Sequence, residues 1–184
     1  MKIVFVRHGK TAWNEEGRYL GKTDMPLSDG GKEQLKEWKQ EMPQEVACVL
    51  VSPMKRCLET AELLYETAEK IIIPEWSEID FGVFEGKNYK ELSGDAQYQQ
   101  WIDSNGTLPF PNGESRQAFI ARSLDGWNHA KQVLQGKIKQ DNHLPQTVVA
   151  VVHGGTIMAV CSSVLGGDYF DYQVKNGEQI CITI

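Results

Sequence analysis

Residues 2–9 read Lys-Ile-Val-Phe-Val-Arg-His-Gly, and this stretch decides the fold. Ile3-Val4-Phe5-Val6 is a continuous apolar run rich in β-branched residues, the pattern of a buried strand. It ends in a cation, an imidazole and a glycine, which lets the chain turn sharply and lets a ligand approach the backbone. The arrangement recurs twice. Ala47-Cys48-Val49-Leu50-Val51 runs into Ser52-Pro53-Met54-Lys55-Arg56. There Ser52 suits an N-cap, Pro53 the first helical position and Arg56 the first turn. Val148-Val149-Ala150-Val151-Val152 runs into His153-Gly154-Gly155-Thr156 and another helical pattern. Ligands on open parallel sheets bind outside the carboxyl ends of the strands. Parallel neighbours would therefore bring Arg7, His8, Arg56 and His153 to one spot. Two helix N-termini would add backbone N–H donors and positive dipole ends. The result is an anion pocket with a built-in imidazole, and phosphate fits it best. Each residue taken singly has an ordinary explanation; Arg56, for example, could pair with Glu59 one turn on. Three coincidences at equivalent places argue for the pocket.

The whole chain sets bounds on this reading. Its 184 residues suit a single domain spanning 1–184, large enough for a substantial core. Apolar residues at 41% and charged residues at 24% are ordinary for a soluble globular protein. A net charge of −6 argues against a general nucleic-acid surface and makes a local cluster of Arg and His stand out. No apolar run reaches the length of a membrane span. The first six residues are too short for a signal-peptide core. Cys48, Cys57, Cys161 and Cys181 lie in or beside apolar segments with no C-x-x-C pair. Buried free thiols and a cytoplasmic location are the expectation. No ligand spacing supports a metal site built from His8, His153 and cysteines, so neither metal nor cofactor is expected. His129 and His143 fall in polar segments and are expected to face solvent.

Along the chain, a loop at 9–30 leads to a helix at about 31–42 with Leu35, Trp38 and Met42 on one stripe. After the 47–52 strand, a helix from 53 to about 67 carries Leu58, Ala61, Leu64 and Tyr65. Ile71-Ile72-Ile73 is read as a short buried strand closed by Pro74. Residues 75–114 read as an irregular, lid-like insertion over the sheet edge, with short helices near 88–104. A long helix is expected from Ser115 to about Leu134, and a final pair of short strands near 170–184. Strands alternating with helices predict a three-layer α/β/α sandwich around a mostly parallel sheet. Trp101 and Phe110 are candidates for a substrate cleft or a homodimer face, whereas Trp127 is expected in the core.

A pocket that cleaves a phosphate ester needs a proton donor for the leaving alcohol, and guanidinium groups stay protonated. The insertion offers Glu78, with Asp80 and Glu85 as alternatives; sequence alone does not choose among them. At this point the residues resemble a family. RHGKTAWNEEGRYLGKTDMPLSDGGKEQ, VSPMKRCLETAELL, EIDFGVFEGKNYKEL, PFPNGESRQAFIARS and VVAVVHGGTI, in this order, are similar to the histidine phosphatase superfamily, also called phosphoglycerate mutase-like. The resemblance implies a phosphoglycerate mutase-like fold and a metal-independent phosphomonoesterase. His8 would become phosphorylated on Nε2, with Arg7, Arg56 and His153 holding the phosphoryl group. Asn14, Gly21 and Gly154 would complete the phosphate-binding set, and Glu78 would be the acid/base carboxylate. Lys10 departs from the family pattern, which has Glu or Gln there; it is expected to point to solvent. The expected partner is a small phosphomonoester, not nucleic acid or membrane. The strings around 17–28, 78–86 and 111–122 look most like alpha-ribazole-5′-phosphate phosphatases of cobalamin synthesis. A phosphoglycerate mutase is the alternative, disfavoured because that branch has Arg-His where this chain has Ile79-Asp80. A non-catalytic phosphate or phosphopeptide binder would need only the anion pocket; His8 and Glu78 argue against it.

Overall fold

The computed structural model describes residues 1–141 and 143–183. Its elements run β1 (Lys2–Arg7), α1 (Ala12–Glu15), α2 (Asp29–Trp38), β2 (Val49–Val51), α3 (Lys55–Leu64), β3 (Lys70–Ile72), α4 (Ala96–Asp103), α5 (Arg116–Gln140), β4 (Thr147–Val152), α6 (Gly154–Leu165) and β5 (Gln179–Thr183). The strands form one sheet in the order β3-β2-β4-β1-β5. The first four are parallel to their neighbours, and β5 runs antiparallel to β1.

Side-chain alternation along the strands builds the layers. Ile3 and Phe5 of β1, Leu50 of β2 and Ala150 and Val152 of β4 face Trp127, Ala130 and Leu134 of α5 and Ile157, Val160 and Cys161 of α6. Val4 and Val6, Val49 and Val51, and Val149 and Val151 face Leu35 of α2 and Cys57, Ala61 and Leu64 of α3. Both faces are covered, which is why these strands are apolar throughout rather than alternating. The expected three-layer α/β/α sandwich with a mostly parallel sheet is what the chain forms.

The register positions the site. Val6 pairs with Val151, and Val151 with Val51, so β1, β4 and β2 end nearly level. The His8 N–H donates to the Val152 carbonyl at 2.9 Å and the Ser52 N–H to the Val151 carbonyl at 3.1 Å, extending that alignment past the strands. Since β4 lies between β1 and β2, His153 emerges between His8 and Ser52.

Several boundaries differ from expectation. The α2 helix starts at Asp29, because the Ser28 hydroxyl accepts from the Gly31 N–H at 3.0 Å. The α5 helix begins on the Ser115 cap and continues to Gln140, past the expected Leu134. The α3 helix is shorter than expected, starting at Lys55 with Met54 in the cap position. The strand expected to be buried at 71–73 is β3, one residue earlier, and at the edge of the sheet it leaves Ile72 exposed. A single strand, β5, replaces the expected pair near the C-terminus. Residues 169–172 instead form a 3-10 turn, fixed by a capping box between Asp168 and Asp171. Three cysteines are buried and free, but Cys181 is exposed: on edge strand β5 its neighbour Ile182 takes the inward position. Within 75–114, Ile79, Phe84, Leu92 and Phe110 form a small core of their own with Phe119 of α5. Among the described residues no helix is long and apolar enough to cross a membrane.

Gly126 is where α5 crosses Trp76. A Cβ there would sit 2.6 Å from the Trp76 ring, which is fully buried and donates from Nε1 to the Ser123 carbonyl at 3.2 Å. Helix propensity favours Ala over Gly by about 1 kcal/mol, whereas overpacking costs about 1–3 kcal/mol. The ring is pinned at both face and nitrogen, so Gly126→Ala should lower stability in urea denaturation. A stabilised variant would show that Trp76 can move aside.

Candidate active site

His8 is 3% exposed, and its Nδ1 lies 2.7 Å from the Gly9 carbonyl oxygen. A carbonyl can only accept, so Nδ1 carries the proton and Nε2 keeps a free lone pair. The backbone around this ring is pinned. The Gly9 N–H donates to Thr60 Oγ1 at 3.0 Å, and Thr60 in turn donates to the Arg56 carbonyl at 2.7 Å. Asn176 Nδ2 donates to the His8 carbonyl at 3.1 Å. Gly9 is needed for packing rather than for a sharp turn: a Cβ would lie 2.6 Å from Leu35 Cδ1.

Alternation sends Arg7 to the opposite face from His8. Its Nη1 donates to the Val174 carbonyl at 2.8 Å, and a Cβ on Gly154, the first residue of α6, would lie 3.4 Å from its guanidinium. Arg56 is fully buried in the first turn of α3. Its Nη2 donates to the Gly21 carbonyl at 2.8 Å and its Nη1 to the Thr23 carbonyl at 3.0 Å. It does not pair with Glu59, whose carboxylate accepts the Leu27 N–H at 2.9 Å. Gly21 thus meets the site through its carbonyl on Arg56. A Cβ on Gly21 would come within 2.0 Å of the Ile79 carbonyl oxygen. Nε of Arg7 and Nε of Arg56 are both buried without a hydrogen-bond partner. Unpaired buried donors are costly, and both guanidinium groups act electrostatically on His8.

His153 is fully buried at the N-cap of α6, its ring edge-on to His8 with centroids 5.2 Å apart. Its Nε2 lies 2.8 Å from Ser52 Oγ, and its Nδ1 lies 3.8 Å from Glu78 Oε2. We assign the Ser52 hydroxyl as donor to Nε2, which places the His153 proton on Nδ1, toward the carboxylate. Ser52 therefore does not cap α3 as its sequence position suggests; the neighbouring strand offers it an imidazole instead.

The structure separates the three candidate carboxylates. Glu78 is mostly buried, with Oε1 accepting the Ile79 N–H at 3.0 Å. Asp80 pairs with Lys22 at 2.6 Å and caps the turn at Gly82. Glu85 accepts from the Lys22 and Thr23 N–H groups at 2.7 and 3.1 Å, fixing the loop that carries Gly21. Thr11 caps α1 and Asn14 completes the capping box: its Oδ1 accepts from Thr11 and, at 3.3 Å, from Asn176, leaving its amide N–H₂ as the group open to a ligand. Lys10 is exposed, as expected. His129 is half-exposed and pairs with Glu75 at 3.1 Å, and His143 is exposed. Sequence reading missed Ser52 as a partner of His153, and it missed Thr60 and Asn176 altogether.

Burial is the main force on the titrating groups. It pushes both His8 and His153 well below the usual imidazole range, and Arg56 and Arg7 add to the shift. Burial raises Glu78, against its hydrogen bond from Ile79 and the fields of Arg56 and Arg7. At Asp80 burial also acts upward, but the Lys22 bond and the Gly82 N–H bring it below the usual range.

A cavity of about 870 Å³ opens from this cluster. Arg7, Glu78, Gly154 and Gly155 line it together with Phe81, Trp101, Phe110, Tyr169 and Phe170. The 75–114 segment supplies one wall, so Trp101 and Phe110 face the cavity while Trp127 is in the core.

Residues 3–184 match the histidine phosphatase superfamily (branch 1). The chain belongs to this family. It is a phosphoric monoester hydrolase of the histidine phosphatase type. It is 32% identical over 173 residues to phosphoserine phosphatase 1 of Hydrogenobacter thermophilus, covering 91% of this chain and 78% of that protein. A 2,3-bisphosphoglycerate-dependent phosphoglycerate mutase of Haemophilus ducreyi is 24% identical over 224 residues, covering 100% of this chain and 95% of the mutase. The crystal structure of the alpha-ribazole phosphatase from Shigella flexneri superposes with a TM-score of 0.80 at 26% identity, covering 100% of this chain and 91% of that one.

Buried neutral histidines make folding of this phosphatase pH-dependent. Below about pH 6.5 the unfolded chain binds protons at positions 8 and 153 that the folded chain refuses, so stability falls with pH there. Glu78 works the other way, because its folded-state affinity for a proton is raised, and it offsets part of that loss. Two histidines against one carboxyl leave a net loss between pH 6.5 and 5. Each histidine contributes at most about 1.4 kcal/mol per pH unit. His8→Asn should flatten the slope in urea titrations; an unchanged slope would mean that His8 titrates normally in the folded state.

Proposed function

We propose that this enzyme hydrolyses alpha-ribazole-5′-phosphate or a closely similar aromatic nucleoside monophosphate, through a phosphohistidine at Nε2 of His8. One observation carries the chemistry: the Gly9 carbonyl holds the proton on Nδ1, so Nε2 of buried His8 keeps a free lone pair within the field of Arg56 and Arg7. In the first step Nε2 attacks phosphorus, the P–O ester bond breaks, and Glu78 gives its proton to the leaving oxygen. In the second step water attacks phosphorus, the P–N bond breaks, and Glu78 takes the proton from water. Inorganic phosphate and the alcohol are the products, and one hard step has become two easier ones. Arg7, Arg56, Nδ1 of His153, the amide of Asn14 and the α6 N-terminus at Gly154 hold the phosphoryl oxygens. Gly21 serves the same oxygens indirectly, through its carbonyl on Arg56. Fixed cations and dipoles of this kind stabilise the charge that phosphoryl transfer spreads over those oxygens.

The choice of substrate rests on the cavity. At about 870 Å³, with Phe81, Trp101, Phe110, Tyr169 and Phe170 in its walls, it suits a leaving alcohol that carries a flat aromatic base better than serine or glycerate. Likeness to the Shigella alpha-ribazole phosphatase supports the same reading. The mutase alternative requires a second anion site; beside Arg7 the cavity offers Arg116 and Lys175, set among aromatic walls. Free buried thiols at Cys48, Cys57 and Cys161 fit a reducing cytoplasm.

Replacing His8 with Ala should reduce turnover by about a thousandfold or more, roughly 4 kcal/mol of transition-state stabilisation. Brief reaction with labelled substrate and an acid-free quench should trap phosphate on His8; label on a Ser, Cys or Asp would overturn the mechanism. Substrate class is tested by kcat/KM across a panel. Alpha-ribazole phosphate should exceed phosphoserine and 3-phosphoglycerate by about tenfold or more, the scale of one lost apolar subsite. The reverse order would show that the aromatic walls do not select the substrate.

A further inference from the structure

The P-N-G-E-S-x-x-x-F-x-x-R string carries Glu114 and Arg122, to which the proposed phosphate-binding set assigns no role. The structure joins them beneath Glu78. Arg122, on α5, donates from Nη1 to the carbonyls of Glu75 and Ser77 at 2.7 and 2.8 Å. Its Nη2 reaches the Glu78 carbonyl at 3.5 Å. Its Nε and Nη2 donate to the two carboxylate oxygens of Glu114 at 3.1 and 2.8 Å. The guanidinium also lies over the Phe119 ring, 5.3 Å from its centroid. Glu114 is fixed in turn, since its N–H donates to the Asp80 carbonyl at 2.9 Å. One guanidinium thus gathers the backbone on the N-terminal side of Glu78, and its carboxylate partner is tied to the backbone on the C-terminal side.

We propose that Arg122, held by Glu114, is a positioning residue that fixes the backbone from which the Glu78 carboxyl reaches the leaving oxygen. This rests on the acid role given to Glu78 above. Residues 73–82 contain only two short 3-10 turns, at Pro74–Trp76 and from Gly82 onward, so no helix or strand holds Glu78 in place. The clamp supplies that constraint with charge-assisted bonds to successive carbonyls. Lysine could not replace it, because an ammonium lacks the planar fork needed to meet a carboxylate and a row of carbonyls together. The hydrogen bonds of Arg122 go to Glu75, Ser77, Glu78 and Glu114 and not to the phosphate cluster, which it reaches only through its charge on His153. Arg122→Lys keeps that charge, so it should act on proton delivery and leave phosphate binding intact.

The test is a double-mutant cycle between Arg122→Lys and Glu78→Gln, read on two esters: glycerol phosphate, whose alkoxide leaves poorly, and nitrophenyl phosphate, whose leaving group needs little protonation. Arg122→Lys should lower kcat on glycerol phosphate by about ten- to a hundredfold, the scale of an ångström of misplacement, with KM little changed. The loss on nitrophenyl phosphate should be less than about threefold. In the Glu78→Gln background the same step should cost almost nothing on either ester, because the group it positions is already gone. Equal losses on both esters, or an undiminished loss without Glu78, would overturn the proposal. Should Arg122→Lys lose the native fold by circular dichroism, Glu114→Gln replaces it in the cycle with the same expected and overturning results. Glu78→Gln alone reports separately on the acid role: without a leaving-group dependence of its own, it is that reading which fails.

Discussion

The parallel register of β1, β4 and β2 is the constraint on which the site depends. Residues 8, 56 and 153 are far apart in sequence, and only a shared row of strand ends brings them together. That convergence concentrates positive charge where water is scarce. Taking a guanidinium out of water costs several kcal/mol after relaxation. Backbone carbonyls offset part of that cost: Gly21 and Thr23 on Arg56, and Val174 on Arg7. Much of the loop architecture follows from this need. Glu85 fixes the 21–23 loop so that its carbonyls face Arg56, and Gly21 lacks a side chain because the Ile79 carbonyl occupies the space. The match is incomplete, because the buried Nε of each arginine has no partner. Guanidinium groups held in place by backbone carbonyls are nevertheless preorganised cations of the kind that stabilise an anion.

Chemistry and substrate choice occupy different parts of the molecule. The cluster proposed to meet the phosphate is built from the sheet and the first turns of α3 and α6. The cavity proposed to meet the rest of the substrate is walled by the 75–114 segment and by residues 169–178. These segments have their own small aromatic core, so their surface can change without disturbing the strand ends. Relatives whose names specify a phosphoserine phosphatase, a phosphoglycerate mutase and an alpha-ribazole phosphatase fit this division.

Much of this was legible in the sequence, and the exceptions share a cause. Continuous apolar runs ending in Arg-His or His-Gly identify strands and their functional ends, because burial on both faces leaves a pattern that local reading can see. Ser52 misleads because its capping propensity is local, whereas its bond to His153 spans 101 residues. Glu78, Asp80 and Glu85 are alike in sequence and are told apart by what reaches them: a histidine and buried arginines, an exposed lysine, or two backbone N–H groups. Cys181 looks like a core residue until the edge position of β5 is known. Thr60 and Asn176 carry no local signal, because each acts by bonding a backbone group of residues 8–9.

The arginines act in opposite directions on the two groups proposed to move protons. Their field helps keep His8 neutral, as a nucleophile requires, but favours ionised Glu78, which an acid must not be. Burial resolves the conflict, because it favours the neutral form of both groups and is the largest influence on each. A phosphate dianion bound between the guanidinium groups would cancel much of their field. The proton on Glu78 would then be held more firmly just when a leaving oxygen is present to receive it. His8 would be spared a competing proton by its burial, and its Nδ1–H would remain on the Gly9 carbonyl. The same arginines proposed to bind the phosphoryl group would therefore also make the protonation of Glu78 depend on its presence.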